Sequence, residues 1–176
     1  MADVKVIHSR PALIQELTWW PPSLAGTPLQ SDSVEQILFS FCNGELYKIA
    51  LTYDRASTKG LTAMDMMNAI SANYGPVTNV VPEVDPAKID SYDVKQKLVA
   101  TWEDSQYSFN LVRSSFADGF GLVIYSKRAN AEAELAIAEA VRLDNQEGPQ
   151  REAERQEKET KDLEAVRQKN RKSFRP

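Results

Sequence analysis

The stretch Ile37-Leu38-Phe39-Ser40-Phe41-Cys42-Asn43-Gly44-Glu45-Leu46-Tyr47-Lys48-Ile49-Ala50-Leu51-Thr52-Tyr53 decides the fold class. Its large apolar side chains fall mostly at odd positions. That period of two marks half-buried strands. Asn43-Gly44 invites a two-residue turn, but that register sets odd positions opposite even ones and spoils the shared apolar face. A three-residue loop, Cys42-Asn43-Gly44, with Gly44 in the left-handed conformation, pairs Phe39 with Tyr47 and Ile37 with Ile49. The expectation is this bulged hairpin.

Working toward the C-terminus, Thr62 precedes Ala63-Met64-Asp65, so a hydroxyl and an acid can both meet the free N–H groups of a helix start. Ala63, Met66, Met67, Ile70 and Tyr74 recur at helical spacing, and Gly75-Pro76 stops the helix. An acidic loop is expected over 82–95. A three-stranded meander follows, in which Leu98, Ala100 and Trp102 share a face, as do Tyr107, Phe109 and Leu111, and Phe120, Leu122 and Ile124. Pairing Trp102 with Tyr107 and Leu111 with Phe120 keeps one buried face. Leu38, Leu46, Val99, Val112, Val123 and Tyr125 make the second face partly apolar. From Ala129 the pattern is helical and Ala-rich, with Ala133, Ile137, Ala140 and Val141 on a stripe, until Gly148-Pro149 interrupts it. Beyond lies a charged stretch suited to a solvated helix supported by pairs such as Glu157/Lys161.

The chain has 176 residues, enough for one ordinary domain with an appendage. Apolar residues make up 42%, which supplies a core. The formal charge is −4, which excludes a global polycation built to grip nucleic acid. Residues 150–176 hold nine bases and six acids, +3, so residues 1–149 hold −7. One Cys and one His exclude disulfide frameworks and the common multi-ligand Cys/His zinc sites. No run of about 18 apolar residues occurs, so no transmembrane segment is expected. The start Met1-Ala2-Asp3-Val4-Lys5 fits either a cytoplasmic protein or a chain whose signal peptide was removed.

Trp19-Trp20-Pro21-Pro22 is the most unusual cluster. It reads as a hydrophobic plug over the sheet or as an aromatic docking surface for an apolar ligand or a partner protein. His8 lacks a second ligand of metal spacing, and Cys42 reads as an inert turn residue. Asp85, Asp90 and Asp93 do not match an EF-hand loop. Asp118-Gly119-Phe120-Gly121 is kinase-like only in letters and reads as a turn into a strand. Glu103 and Asp104 are adjacent at a hairpin turn and point apart, unlike a glycosidase pair. Arg167, Lys169, Arg171 and Lys172 suit an anionic surface, or equally the cation-favouring end of a helix dipole.

Three stretches carry a resemblance: Phe39-Ser40-Phe41-Cys42-Asn43-Gly44-Glu45-Leu46-Tyr47 with Thr52-Tyr53-Asp54-Arg55; Trp102-Glu103-Asp104-Ser105-Gln106-Tyr107-Ser108-Phe109-Asn110-Leu111-Val112-Arg113; and the ending through Asn170. From about residue 34 onward the chain resembles an uncharacterised family of bacterial exported proteins that carry a signal peptide. The resemblance implies a removed signal and a secreted or periplasmic location, and brings no activity, cofactor or catalytic residue. The expectation is therefore an α+β domain over 1–145, with an antiparallel sheet of about five strands in the order β-β-α-β-β-β-α, and a charged tail over 146–176 that is helical or partly disordered. The expected function is a non-catalytic binding or interaction module of the bacterial envelope, needing no cofactor or metal. Its surface comprises Trp19, Trp20, Arg167, Lys169, Arg171 and Lys172. The alternative is a small hydrolase with a carboxylate-based site assembled by the fold.

Overall fold

The structure is a computed structural model that describes residues 2–22, 33–81, 96–114 and 119–173. Its elements are β1 (Ala2–His8), β2 (Ile14–Trp19), β3 (Val34–Cys42), β4 (Glu45–Tyr53), α1 (Ala63–Tyr74), β5 (Asn79–Val80), β6 (Gln96–Glu103), β7 (Tyr107–Ser114), β8 (Phe120–Ser126) and α2 (Lys127–Ser173). The strands form one antiparallel sheet in the order β1-β2-β3-β4-β8-β7-β6-β5. Four strands meander, α1 carries the chain to the far edge, and four more meander back until β8 closes against β4. The α+β class and the C-terminal helix match expectation. Among the described residues the strand count is eight rather than about five, because β1, β2 and β5 were not legible. β1 is an exposed edge strand bearing Asp3 and Lys5, β2 breaks strict alternation at Gln15-Glu16, and β5 has two residues.

The β3–β4 hairpin corrects the expected three-residue loop. Asn43 (φ 51°) and Gly44 (φ 84°) form a two-residue turn, with Cys42 opposite Glu45 and Phe41 opposite Leu46. Both positive φ values suit the primed turn that follows strand twist. Parity is restored one step later. Ser40 pairs with Lys48 and Phe39 with Ile49, so Tyr47 is an extra residue in β4. The required bulge exists, but it lies in the strand rather than in the turn. Asn43 also clamps the β1–β2 connection, its N–H donating to Leu13 O (2.8 Å) and its Oδ1 accepting from Leu13 N (2.9 Å).

Both C-terminal registers lie two residues from expectation: Trp102 faces Phe109, and Leu111 faces Leu122. Asp104 sets the first of these. Its Oδ1 accepts from the amides of Gln106 and Tyr107, both at 2.7 Å, so the turn centres on Ser105-Gln106. A shift of two keeps each of these side chains on its expected face. Leu98 departs: a bulge sets it opposite Val112 while Ala100 faces Leu111, so Leu98 does not share the face of Ala100 and Trp102. Leu46, paired with Phe41, and Val99, packed against the main core, also leave the second face assigned to them.

Helix α1 occupies the expected span. Thr62 and Asp65 form a reciprocal capping box, and Gly75 (φ 87°) ends the helix with its N–H on Ser71 O. Met66, Met67 and Ile70 pack on Ala100, Trp102, Leu111, Phe120 and Leu122 to make the main core. The Trp102 indole, 3% exposed, donates to Ser71 Oγ and Gly75 O at 3.1 Å each and pins the helix end to β6.

Helix α2 packs on the opposite face. Ala129 and Ala133 lie against Tyr47, which the bulge turns toward them, with Cys42 alongside at the end of β3 rather than in the turn. Small Ala side chains allow this close approach, and Ala140 is buried further along. Val141 is 46% exposed and leaves the expected stripe. The expected interruption at Gly148-Pro149 is absent: α2 continues through Pro149. A proline removes one helical hydrogen bond. Here the Arg151–Asp144 ion pair (2.8 Å) spans the proline, and Arg10 from the β1–β2 connection pairs with Glu147 just before it.

Candidate functional site

Cross-strand register places two apolar rows on the α1 side of the sheet. One runs Val4, Leu17, Phe39, Ile49, Ile124, Phe109, Trp102; the other runs Ala2, Trp19, Ile37, Leu51, Leu122, Leu111, Ala100. The α1 core reaches only as far as Leu51 and Tyr53 on β4. On β1–β3 the same rows continue as partly buried Leu17, Trp19, Ile37 and Phe39, with Val4 59% exposed at the edge. Among the described residues, the face is thus apolar over its full width and is packed by α1 over half of it.

A polar site lies beside the N-terminus of α1, where β4 ends and β7 and β8 meet. The turn between β4 and α1 is built on Asp54, whose carboxylate accepts from Ser57 N (2.7 Å) and Ser57 Oγ (2.8 Å). The Ser57 amide and hydroxyl hold the Asp54 carboxyl below the usual carboxylate range. Thr58 closes the turn through its N–H and hydroxyl to Asp54 O. A cavity of about 800 Å³ opens here, lined by Arg55, Lys59, Leu61, Arg113 and Phe120 among others. The Arg113 guanidinium lies 5.7 Å from the Phe120 ring centroid, within cation–π range. A second cavity of about 330 Å³ lies between α1 and β5–β6, lined by Met64, Met67, Val80, Val99, Lys97 and again Arg113.

Of the residues singled out in the sequence, Trp19 ends β2 on the α1 side and Trp20 follows it, 37% exposed. Trp19 is thus a strand residue of the sheet rather than a plug laid over it. Arg167, Lys169, Arg171 and Lys172 lie on the exposed end of α2, which packs on the opposite face, so the two groups are not brought together. His8 Nδ1 lies 3.9 Å from Asp144. Glu103 pairs with Lys127 (2.9 Å), and Asp104 is engaged by its turn amides, which hold its carboxyl low. Asp85, Asp90, Asp93 and Asp118 lie outside the described residues. Among the described residues, no group of three His, Cys, Asp or Glu side chains is placed to hold a metal, and no helix is long and apolar enough to cross a membrane. Arg55, Lys59, Lys97 and Arg113 were missed. Arg113 was legible: it continues the parity of Phe109 and Leu111, which sets a charge on the apolar face. Comparison of the chain with known families, curated proteins and solved structures finds no match.

Proposed function

We propose that the chain is a non-catalytic interaction module of the bacterial cell envelope that docks a partner protein on the outer half of its apolar sheet face. The observation that supports this is the continuation of the core rows past β4 as Ile37, Phe39, Leu17 and Trp19, beyond the reach of the α1 core. Contiguous apolar patches of this kind mark interaction sites, and Trp is enriched among residues that dominate interface energy. The envelope location rests on the resemblance drawn from the sequence. Past Gly148 the helix α2 is exposed and largely polar; at 1.5 Å per residue its last 25 residues, 149–173, extend about 38 Å. Arg167, Lys169, Arg171 and Lys172 at its end add a salt-sensitive contact to an anionic surface.

The test is site-specific photo-crosslinking in the envelope fraction of the source cell. A crosslinking residue at Leu17 or Trp19 should yield one adduct of defined mass, lost when Phe39→Lys is added. The same residue at Thr52, on the α2 side of the sheet, should yield none. Equal labelling from all three positions, or no adduct from Leu17 and Trp19, would refute the proposal.

A further inference from the structure

We infer that the β1 edge of the sheet receives the same edge of a second copy of this chain, antiparallel, across a two-fold axis at Val4. Among the described residues β1 pairs only with β2, and each residue from Ala2 to Ile7 is exposed. An open edge presents a row of backbone donors and acceptors to another strand, and proteins blunt it with short strands, proline, bulges or lysine. The far edge is blunted, since β5 has two residues. The β1 edge is long and regular by comparison. Its pairing with β2 runs without a shift from Ala2 to Val6, it holds no proline, and Val4 and Val6 are 59% and 52% exposed. It carries one blunting device, Lys5, and two residues earlier the acid that answers it, Asp3.

Symmetry and charge select the register. A two-fold axis perpendicular to the sheet keeps the α1 sides of both copies level, so even positions oppose even and odd oppose odd. With Asp3 or Lys5 on the axis, like charges stand directly opposite, which is destabilising. With Ala2 or Val6 on the axis, neither charge meets its opposite. With Val4 on the axis, Asp3 opposes the second copy's Lys5, and Lys5 its Asp3. Val4 then meets Val4, and Val6 meets Ala2. The unshifted stretch Ala2–Val6 is itself centred on Val4, so this register uses all of it, and the irregularity between Val6 and His8 ends the pairing on each side. Within the chain Lys5 stands opposite Glu16, so the charges alternate Glu16, Lys5, Asp3 across the junction. On the other face, Val4 heads the row of Leu17 and Phe39, and Ala2 the row of Trp19 and Ile37. Pairing therefore joins the outer apolar halves of two copies into one patch. The inference goes beyond the docking reading and does not rest on it.

A junction of Ala2–Val6 from each copy is well below the roughly 20–30 residues a side of a standard interface, so the dimer is weak and concentration-dependent. Sedimentation equilibrium of the full chain from about 10 μM to about 1 mM tests the inference. The mass should climb from that of one chain toward that of two. Lys5→Glu and Asp3→Lys should each weaken association by about tenfold or more, because each sets like charges opposite one another twice. An equimolar mixture of the two variants should associate at least as tightly as the parent, since both cross-strand pairs are then of opposite sign. Mixing would not repair an edge that had merely misfolded. In a Cys42→Ser background, Val4→Cys should close an intermolecular disulfide under mild oxidation, because directly opposed Cβ atoms lie about 4.5–5.5 Å apart. Val6→Cys in the same background should not, since its counterpart lies about four residues, roughly 13 Å, along the strand. A chain that stays monomeric throughout overturns the inference, leaving the edge to a strand of another protein and the docking surface at Leu17 and Trp19 untouched. Association that ignores the charge variants, does not return on mixing, or crosslinks Val6→Cys as readily as Val4→Cys puts the contact elsewhere and also overturns it.

Discussion

One substitution, glycine to alanine, made at three positions separates three kinds of stabilisation. At Gly121 on β8, an added Cβ would lie 2.8 Å from Leu51 O and 3.3 Å from Val112 Cγ2. The first contact is with a backbone oxygen of β4, in the one strand pair that joins the two meanders, so it cannot be relieved by turning a side chain. Overpacking of this kind costs about 1–3 kcal/mol, or about 3–10 °C in Tm for a chain of this size. At Gly44 an added Cβ meets nothing within 4 Å, but φ is +84°. The penalty there is conformational, about 1 kcal/mol. At Gly148 the Cβ is again unopposed and the backbone is helical. Alanine there gains about 1 kcal/mol of local helix propensity. Because this part of α2 lies past its last ion pair to the β1–β2 connection, that gain should raise far-UV helicity without moving the main transition. Thermal unfolding of the three variants by circular dichroism is the assay. An unchanged Tm for Gly121→Ala would refute the close β4–β8 approach, and a raised Tm for Gly148→Ala would show that the distal helix belongs to the cooperative core.

Removing residues 150–176 should leave Tm within about 2 °C of the full chain, because the described part of this stretch is exposed throughout; a loss of ten degrees or so would show that the tail is packed. Trp102→Phe should cost about 1–2 kcal/mol, read by urea unfolding, because it removes the indole donor to Ser71 Oγ and Gly75 O while keeping most of the buried ring. Asp65 is held low by the Thr62 hydroxyl and amide, and Asp104 by the Tyr107 and Gln106 amides. A folded pKa below the unfolded value near 3.9 contributes stability that is full above that value and lost as pH falls through the folded one. Tm should therefore be flat from pH 7 to about 5 and fall below about 4, and Asp104→Ala should lower Tm at neutral pH while its difference from the parent narrows as pH falls below about 4.

What the sequence by itself determined is local. The α1 span, its Thr62–Asp65 cap and its Gly75 stop follow from groups within a few residues of one another, and the structure matches them residue for residue. The two-residue period of β3, β4, β7 and β8 likewise assigned most side chains to their faces, because a strand's alternation is a property of its own backbone. Only the tertiary structure decided the rest. Whether parity is corrected in the turn or at Tyr47 depends on what waits to receive the displaced side chain, and that is Ala129 and Ala133 from a helix about eighty residues later. The helix runs through Pro149 where Arg10, far away in sequence, pairs with Glu147 beside it. Arg55, Lys97 and Arg113 sit on three separate segments, and their convergence around α1 exists only once β8 has closed against β4. Edge strand β1 left little periodic signal because a strand paired on one side and open to water on its faces has little apolar patterning to conserve its register; its place is set by the hydrogen bonds it makes to β2.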